Sequence, residues 1–579
     1  MTPDELLSRL RAGVSFEGAT LAHMDLSGCA LGKANLRGAK LTRLALECAD
    51  LTGADLRGAE ITTCVLRGAR LEGADLEGCV IIDSDLSTAN LSSANLKGMK
   101  LARGGILSGA DLSGARLEGA NLIGGKLAGV NLSGASLSGT RLDYADLSSA
   151  TLRGATLAGA SFTSADLTGA TLDGARIEGS VFSEAKLPRA SFTGATLDKV
   201  VFVNADLRGA VLPKKLARTV FDGARFGPLD FAGADLKGAA LEEMDFTGVS
   251  FEGADLTSCS LQGTNLRGAS FRGATLDQAV LVGCDLTGAD FRGAKLTSCM
   301  FYKAILSGVD LSGHDLEMVV FSEANLSFAD LTGARLVRCV LERADLTSAN
   351  LTRALFTQVL LKAACVEGAV LDKTVFDCVD FSEVDLTRVR LEGLSMTRCF
   401  FANGNLAGVD LSSNNLSNCE FMGCNLERAS LKDAILANAS FKGANLRQAT
   451  LSGAMAKSTF FGESVLTGAV LTQAMLRNAT FTKADLSAAN LAGADLRESL
   501  LREVQAKGAL FVGVKAGYAD LSHADLTDAD FTGADLSFAT LHHVRDERTK
   551  FAAANLATAR HTDVERLTAE AWMPPDRRS

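Results

Sequence analysis

A large apolar side chain returns at every fifth residue along almost the whole chain. From Phe16 to Leu101, from Leu107 to Leu212 and from Phe221 to Leu556 it does so in 104 of 108 registers, failing only at Ala456, Ala506, Ala516 and Asp546. A period of five is neither the 3.6 of an α-helix nor the 2 of a simple strand. Two residues before each apolar centre stands a small one, usually Ala, often with Asp or Asn between them. Ala34-Asn35-Leu36-Arg37-Gly38 and Ala165-Asp166-Leu167-Thr168-Gly169 show the unit. The centre and the small residue then point inward, and the other three face water or turn the corner. Gly and Ser after the centre suit the tight turn that each short straight side requires.

The phenylalanines set the number of sides. Phe381, Phe401, Phe421, Phe441, Phe461 and Phe481 lie 20 residues apart, as do Phe231, Phe251, Phe271 and Phe291, and Phe162, Phe182 and Phe202. Rings stack directly at that spacing if four five-residue sides close one coil. Cys259, Cys299, Cys339, Cys399 and Cys419 share one column in the small inward position. The pattern predicts an all-β, quadrilateral β-helix of about 27 coils. With ~4.8 Å between stacked strands this is a rod on the order of 130 Å long. Each buried Leu contributes roughly 1.5–3 kcal/mol, and neighbouring coils support one another.

Two register slips divide the solenoid into blocks 14–101, 107–212 and 221–556. The first spans six residues from Leu101 to Leu107 over Arg103-Gly104-Gly105, and the second nine from Leu212 to Phe221. Each reads as a one-residue bulge that re-aims the coil. The second also offers Lys214, Lys215 and Arg218 as a local basic contact site. Asp546 marks a third disruption. Both ends carry helix signals. Thr2-Pro3-Asp4-Glu5 reads as an N-cap, a first-turn proline and a capping-box Glu, with Leu6, Leu7 and Leu10 on one face over residues 1–13. Thr562-Asp563-Val564-Glu565 repeats the signal within 557–579, with Val564, Leu567, Ala571 and Trp572 on one face before Pro574 and Pro575. Caps that cover raw coil edges are the expectation, and a homodimer through the C-terminal cap and Trp572 is the sharper alternative.

The A(D/N)LxG unit resembles that of the pentapeptide-repeat proteins, and the resemblance runs from Phe16 to about Leu556. It implies the right-handed quadrilateral β-helix and says little about function, because one fold hosts many roles. Large bacterial members with a short N-terminal cap like Met1–Gly13 accompany spike components of contractile (type VI) secretion systems, which implies an adaptor or accessory role with spike or adaptor partners. The shorter quinolone-resistance members mimic duplex DNA and bind DNA gyrase, which implies the alternative. A secreted effector is a third reading.

Composition narrows these. A net charge of −10 comes from 68 acidic and 58 basic residues. It is well mixed, without the basic stripe of a duplex-DNA binder. No apolar run approaches the ~18 residues of a membrane span, and Met1–Gly13 is polar rather than a cleaved leader. The expectation is a cytoplasmic protein, or one exported without a cleaved signal. There is no phosphate-binding loop, no nucleophile elbow, no H-E-x-x-H and no C-x-x-C pair, so no enzyme, no cofactor and no metal are expected. Ten of the 13 Cys (Cys29, Cys64, Cys79, Cys259, Cys284, Cys299, Cys339, Cys399, Cys419 and Cys424) occupy the small inward position and read as buried reduced thiols. Cys399 and Cys419 fall one above the other and are placed to cross-link under oxidation. His314 stands at a small inward position as a local irregularity. His523, His543 and Asp563 share the 20-residue spacing, but the break at Asp546 weighs against a metal column. The many outward Asp read as repeat grammar rather than paired acids.

Overall fold

The computed structural model describes residues 2–572. The chain divides into two compact units after Leu281, and each is a parallel β-helix coiled in four short sides. Leu36 illustrates why the repeat folds this way. Its N–H donates to Asp55 O at 2.8 Å, Gly38 N–H to Arg57 O at 2.8 Å, and Asp55 N–H returns to Ala34 O at 2.9 Å. Each side is thereby tied to the residues 20 further on. The corner closes as Ala39 N–H donates to Leu36 O at 3.0 Å, with Gly38 at φ +61°. That is a type II turn, whose third residue must be left-handed. Lys33 adopts the same conformation at φ +58°, so the ladder overrides the penalty that a side chain meets there.

Most sides are reduced to a single paired residue, and regular strands mark only the straightest. In the first unit β1 Thr20–Ala22, β2 Lys40–Thr42, β3 Glu60–Thr62, β4 Val80–Ile82 and β5 Lys100–Ala102 form one parallel sheet. β6 Thr156–Ala158, β7 Arg176–Glu178 and β8 Thr196–Asp198 form another, and β9 Asp206–Leu207 pairs with β10 Arg225–Phe226. In the second unit β11 Asp315–Glu317, β12 Arg335–Val337, β13 Leu355–Thr357, β14 Val375–Asp377 and β15 Ser395–Thr397 stack in order.

The interior is filled by the centres and small residues, nearly all fully buried. The phenylalanine columns stack as the spacing predicts. Phe162 lies on Phe182 at 4.6 Å between centroids, Phe251 on Phe271 at 5.1 Å, and Phe401, Phe421 and Phe441 follow at 4.7 Å with planes within 3°. Several hydroxyls at the small position are satisfied one coil back, although Thr219 Oγ1 is buried without a partner. Thr140, Thr374 and Thr459 donate to Leu117 O, Leu351 O and Leu436 O at 2.7, 2.7 and 2.8 Å, which meets the requirement for a buried polar group.

The slips are one residue gained and one lost. Asp85 pairs with Ile106 and Lys100 with Asn121, 21 apart, before the 20-residue offset resumes at Ile106–Lys126. The extra residue is absorbed at Arg103 and Gly104, both left-handed at φ +40° and +43°. At the second slip Val201 pairs with Val220, 19 apart, and Phe202 still stacks on Phe221 at 5.4 Å. The nine-residue gap proves to be a four-residue step from Leu212 to Leu216, because Leu216 is buried as a centre in the register of Phe221. The final register therefore begins one side earlier than the sequence reading placed it.

The first end is capped as expected. Helix α1, Pro3–Arg11, is N-capped by Thr2, whose hydroxyl accepts from Glu5 N–H at 3.3 Å. The Glu5 side chain pairs with Arg9 rather than reaching back. Leu6 is 1% exposed, and Leu6 and Leu10 close over Leu21, Leu26, Leu31 and Leu36. Helix α2, Val564–Glu570, differs from the expectation twice. Its N-cap is Asp563, which accepts from Arg566 N–H at 3.1 Å, while Thr562 Oγ1 takes the His543 N–H. It buries no residue, leaving Val564 72% and Trp572 68% exposed. A helix of seven residues with a polar attachment does not seal apolar surface as α1 does. Pro574 and Pro575 lie outside the described residues.

Candidate interaction surfaces

With the interior closed, any chemistry must come from the outward residues. The commonest is the Asp or Asn before each centre. Asp50 Oδ1 accepts the Thr52 N–H at 3.1 Å and its hydroxyl at 2.6 Å, and Asp245 does the same for Thr247. This is an Asx turn built into the corner. The Thr52, Thr247, Ser412 and Thr532 side chains, and then their backbone N–H groups, hold Asp50, Asp245, Asp410 and Asp530 below the usual carboxylate range. Between coils, Asn445 and Asn425 pass amide hydrogen bonds up to Asn405 at 3.2 Å. Arg and Lys bridge neighbouring carboxylates, as Arg502 to Asp520 at 2.6 Å and Lys237 to Asp255 at 2.9 Å. These acids serve the turns and ladders.

The proposed basic site is not convergent. Lys214 Nζ donates to Ala232 O at 2.8 Å, Arg218 pairs with Asp198 at 2.6 Å, and Lys215 is exposed on the residue paired with Asp235. Two of the three charges are therefore engaged by different coils. Of the ten inward cysteines nine are buried and Cys29 is half-buried. Burial pushes Cys79 and Cys424 up to about 12 and Cys339 to about 11. Contact with Cys419, then burial, raises Cys399 further. His314 is half-buried, with Nε2 at 2.9 Å from Phe291 O.

At the last coil His523 and His543 meet with ring centroids 5.2 Å apart, as their spacing predicts. Asp563 instead caps α2, and the partner that sequence spacing missed is Glu570. Its Oε2 lies 3.0 Å from His523 Nε2 and 3.2 Å from His542 Nε2, while its Oε1 accepts from Arg566 at 2.7 Å. The three possible ligand atoms lie within 4.8 Å of one another, yet His542 does not suit a metal. Its Nδ1 accepts the Asp563 N–H at 3.1 Å, so the neutral ring carries its proton on Nε2 and donates it to Glu570. A metal-ligating imidazole would point a hydrogen, not a lone pair, at that backbone donor. The cluster is a clamp that holds α2 against the coil.

One apolar feature stands out on the second unit. Met300, Val320, Val340, Leu360, Asp380, Phe400, Glu420, Ser440, Phe460, Thr480 and Leu500 pair successively along one side. Met300, Leu360, Phe400, Phe460 and Leu500 are 36–45% exposed along it, with Met422 beside them. Among the described residues no helix is long and apolar enough to cross a membrane.

Four-sided coils of five-residue units define the chain as a β-solenoid with a repeat grammar on every side. The pentapeptide repeats (8 copies) family matches residues 15–58, 46–81, 69–103, 106–143, 145–183, 178–212, 234–273, 250–288, 274–313, 320–358, 356–393, 464–502 and 509–545, and the pentapeptide repeat region family matches 394–470. The chain belongs to the pentapeptide-repeat family. Similar solved structures include QnrB1, a plasmid-mediated fluoroquinolone resistance protein, at 22% identity over 33% of this chain and 94% of that one, with a TM-score of 0.22. HetL, involved in heterocyst differentiation regulation in the cyanobacterium Nostoc, is 29% identical over 52% and 96%, with a TM-score of 0.13. A pentapeptide repeat protein of the Arabidopsis thaliana thylakoid lumen is 28% identical over 19% and 68%, with a TM-score of 0.12. No curated protein matches the chain.

Proposed function

We propose that this chain is a non-catalytic protein-interaction scaffold that presents flat, self-supporting faces to protein partners. The observation that carries the reading is the exposed apolar column of Met300, Leu360, Phe400, Phe460 and Leu500 on a side whose ladder is already complete. Large apolar side chains held in register on a flat surface suit burial against a partner. The finer proposal is an adaptor or accessory of a contractile (type VI) secretion system working from the cytoplasm. Nine buried cysteines in the small inward position fit a reducing compartment. The exposed Val564 and Trp572 support self-association through α2 as part of the same proposal.

The test is affinity purification of the full chain from its native host with mass spectrometry, beside a variant carrying M300K, L360K, F400K and F460K. Partners lost from the variant support the scaffold reading, and spike or adaptor proteins among them support the finer one. Recovery of gyrase subunits would favour the DNA-mimic alternative. Identical recoveries from both proteins would refute the role given to this face.

A further inference from the structure

The ladder of the second unit opens beside residues 364–373, and the side of Arg390 stays unpaired to Asp410 in the coil below as well. Ala363 N–H still donates to Ser382 O at 2.9 Å, and β14 pairs with β15. Between those points, among the described residues, no backbone hydrogen bond joins residues 364–373 to residues 385–392. Two of the four sides have parted while the other two hold. The upper lip presents the N–H groups of Val366, Gly368, Leu371 and Lys373, and the lower lip the carbonyls of Thr387, Arg390 and Glu392, none of them bonded across the gap. The opening is a crevice bordered by Gly368–Lys373 above and by Arg388, Arg390 and Glu392–Leu394 below, and it continues around the corner past Cys365.

The sequence explains the opening. In the coil above, the small inward positions on these sides hold Ala364 and Ala369. In the parted coil they hold Val384, Val389 and Leu394 in succession, all buried. Isolated large residues there, such as Leu44 or Val359, leave the ladder closed, as the bonds of Ala45 to Met24 O and of Leu360 to Cys339 O show. With Val379 before them, four large residues in a row overfill one coil, and an overpacked core moves its backbone. Below, Asn414 takes over part of the lost pairing. Its side chain donates to Leu391 O at 2.7 Å and accepts from Leu394 N–H at 3.0 Å.

We propose that this crevice receives an extended peptide segment of a partner protein, bound through its main chain by strand addition. A peptide strand carries both donors and acceptors, and here each lip offers both, since the Asp385 and Arg390 N–H groups and the Ala364 and Ala369 carbonyls are also unbonded across the gap. A small anion would satisfy only the N–H groups, and a cation only the carbonyls. The proposal deepens the scaffold reading but stands on different sides of the coil from the apolar column, so either can fail alone.

The probe is a phage-displayed library of linear peptides panned against the full chain and against V389A/L394A, which restores small residues and closes the ladder. Hydrogen exchange of the free wild-type protein should be fast at Val366, Gly368, Leu371 and Lys373, slow in the variant, and slow again in wild type with a selected peptide bound. The peptides should bind the variant at least about tenfold more weakly. A second reading uses the exposed thiol of Cys365 in a C48S/C378S background, where bound peptide should slow its alkylation. Slow exchange at those four amides in the free protein, equal binding to both proteins, or protection elsewhere with Cys365 unaffected would overturn the proposal.

Discussion

Phe421→Ala should open the interior of a single coil and be felt mainly by its two neighbours. Phe421 is fully buried, with Phe401 and Phe441 stacked on its two faces at 4.7 Å. Truncating a buried Phe costs about 3–5 kcal/mol, and this includes stacking on two sides at roughly 0.5–1.5 kcal/mol each. The site has little room to collapse, because the coil above and the coil below are pinned by their own ladders, so the upper part of that range is expected. A solenoid couples each coil chiefly to its neighbours, and a single unfolding free energy is not well defined for so long an array. The suitable assay is therefore native-state hydrogen exchange resolved along the chain. Amides between residues 400 and 442 should exchange about two to four orders of magnitude faster, while those of β1–β5 should not change. Tyr144→Ala, at an exposed turn, serves as the neutral control. A change below about tenfold near Phe421, or one spread evenly over the chain, would refute the picture of a filled interior with local coupling.

Other expectations follow from single features. Asp50, Asp245, Asp410 and Asp530 have folded values held below the unfolded ~3.9. The stability they confer is complete above that value and lost as pH falls through the folded ones, so thermal unfolding should be flat from neutrality to about pH 4 and decline below. Gly105→Ala would set a Cβ 2.8 Å from Leu101 Cγ, costing about 1–3 kcal/mol and speeding exchange around the 21-residue coil. Glu570→Ala should free α2, and a seven-residue helix without tertiary support does not persist, so its amides should lose protection while residues 500–540 keep theirs. Trp572→Glu should leave far-UV circular dichroism unchanged and shift sedimentation toward monomer, and an unaltered sedimentation coefficient would remove the end-to-end contact.

How far the sequence could be read depended on how locally each feature is specified. The four-sided coil was legible because Leu36, Gly38 and Ala39 repeat the same instruction on every side, and Phe381 to Phe481 report the coil length directly. Leu216 was hidden because a lost residue shifts the register without announcing where, and Pro213 and the lysines drew attention to charge instead. The clamp on α2 was hidden for another reason. His542 and Glu570 are joined by where the chain leaves the last coil, not by any period. The crevice is written in Val384, Val389 and Leu394, which look conservative one at a time and act only through their sum.

Residues 20 apart lie side by side in neighbouring coils, and engineered disulfides can trap that pairing. In S430C/T450C the two positions are ladder partners, within the 4.4–6.8 Å Cα range that a disulfide spans. Mild oxidation followed by proteolysis and mass spectrometry should find that bridge in high yield and little or none in S430C/N445C. A bridge in the second protein and not the first would mean three sides to a coil and rule out the four-sided one.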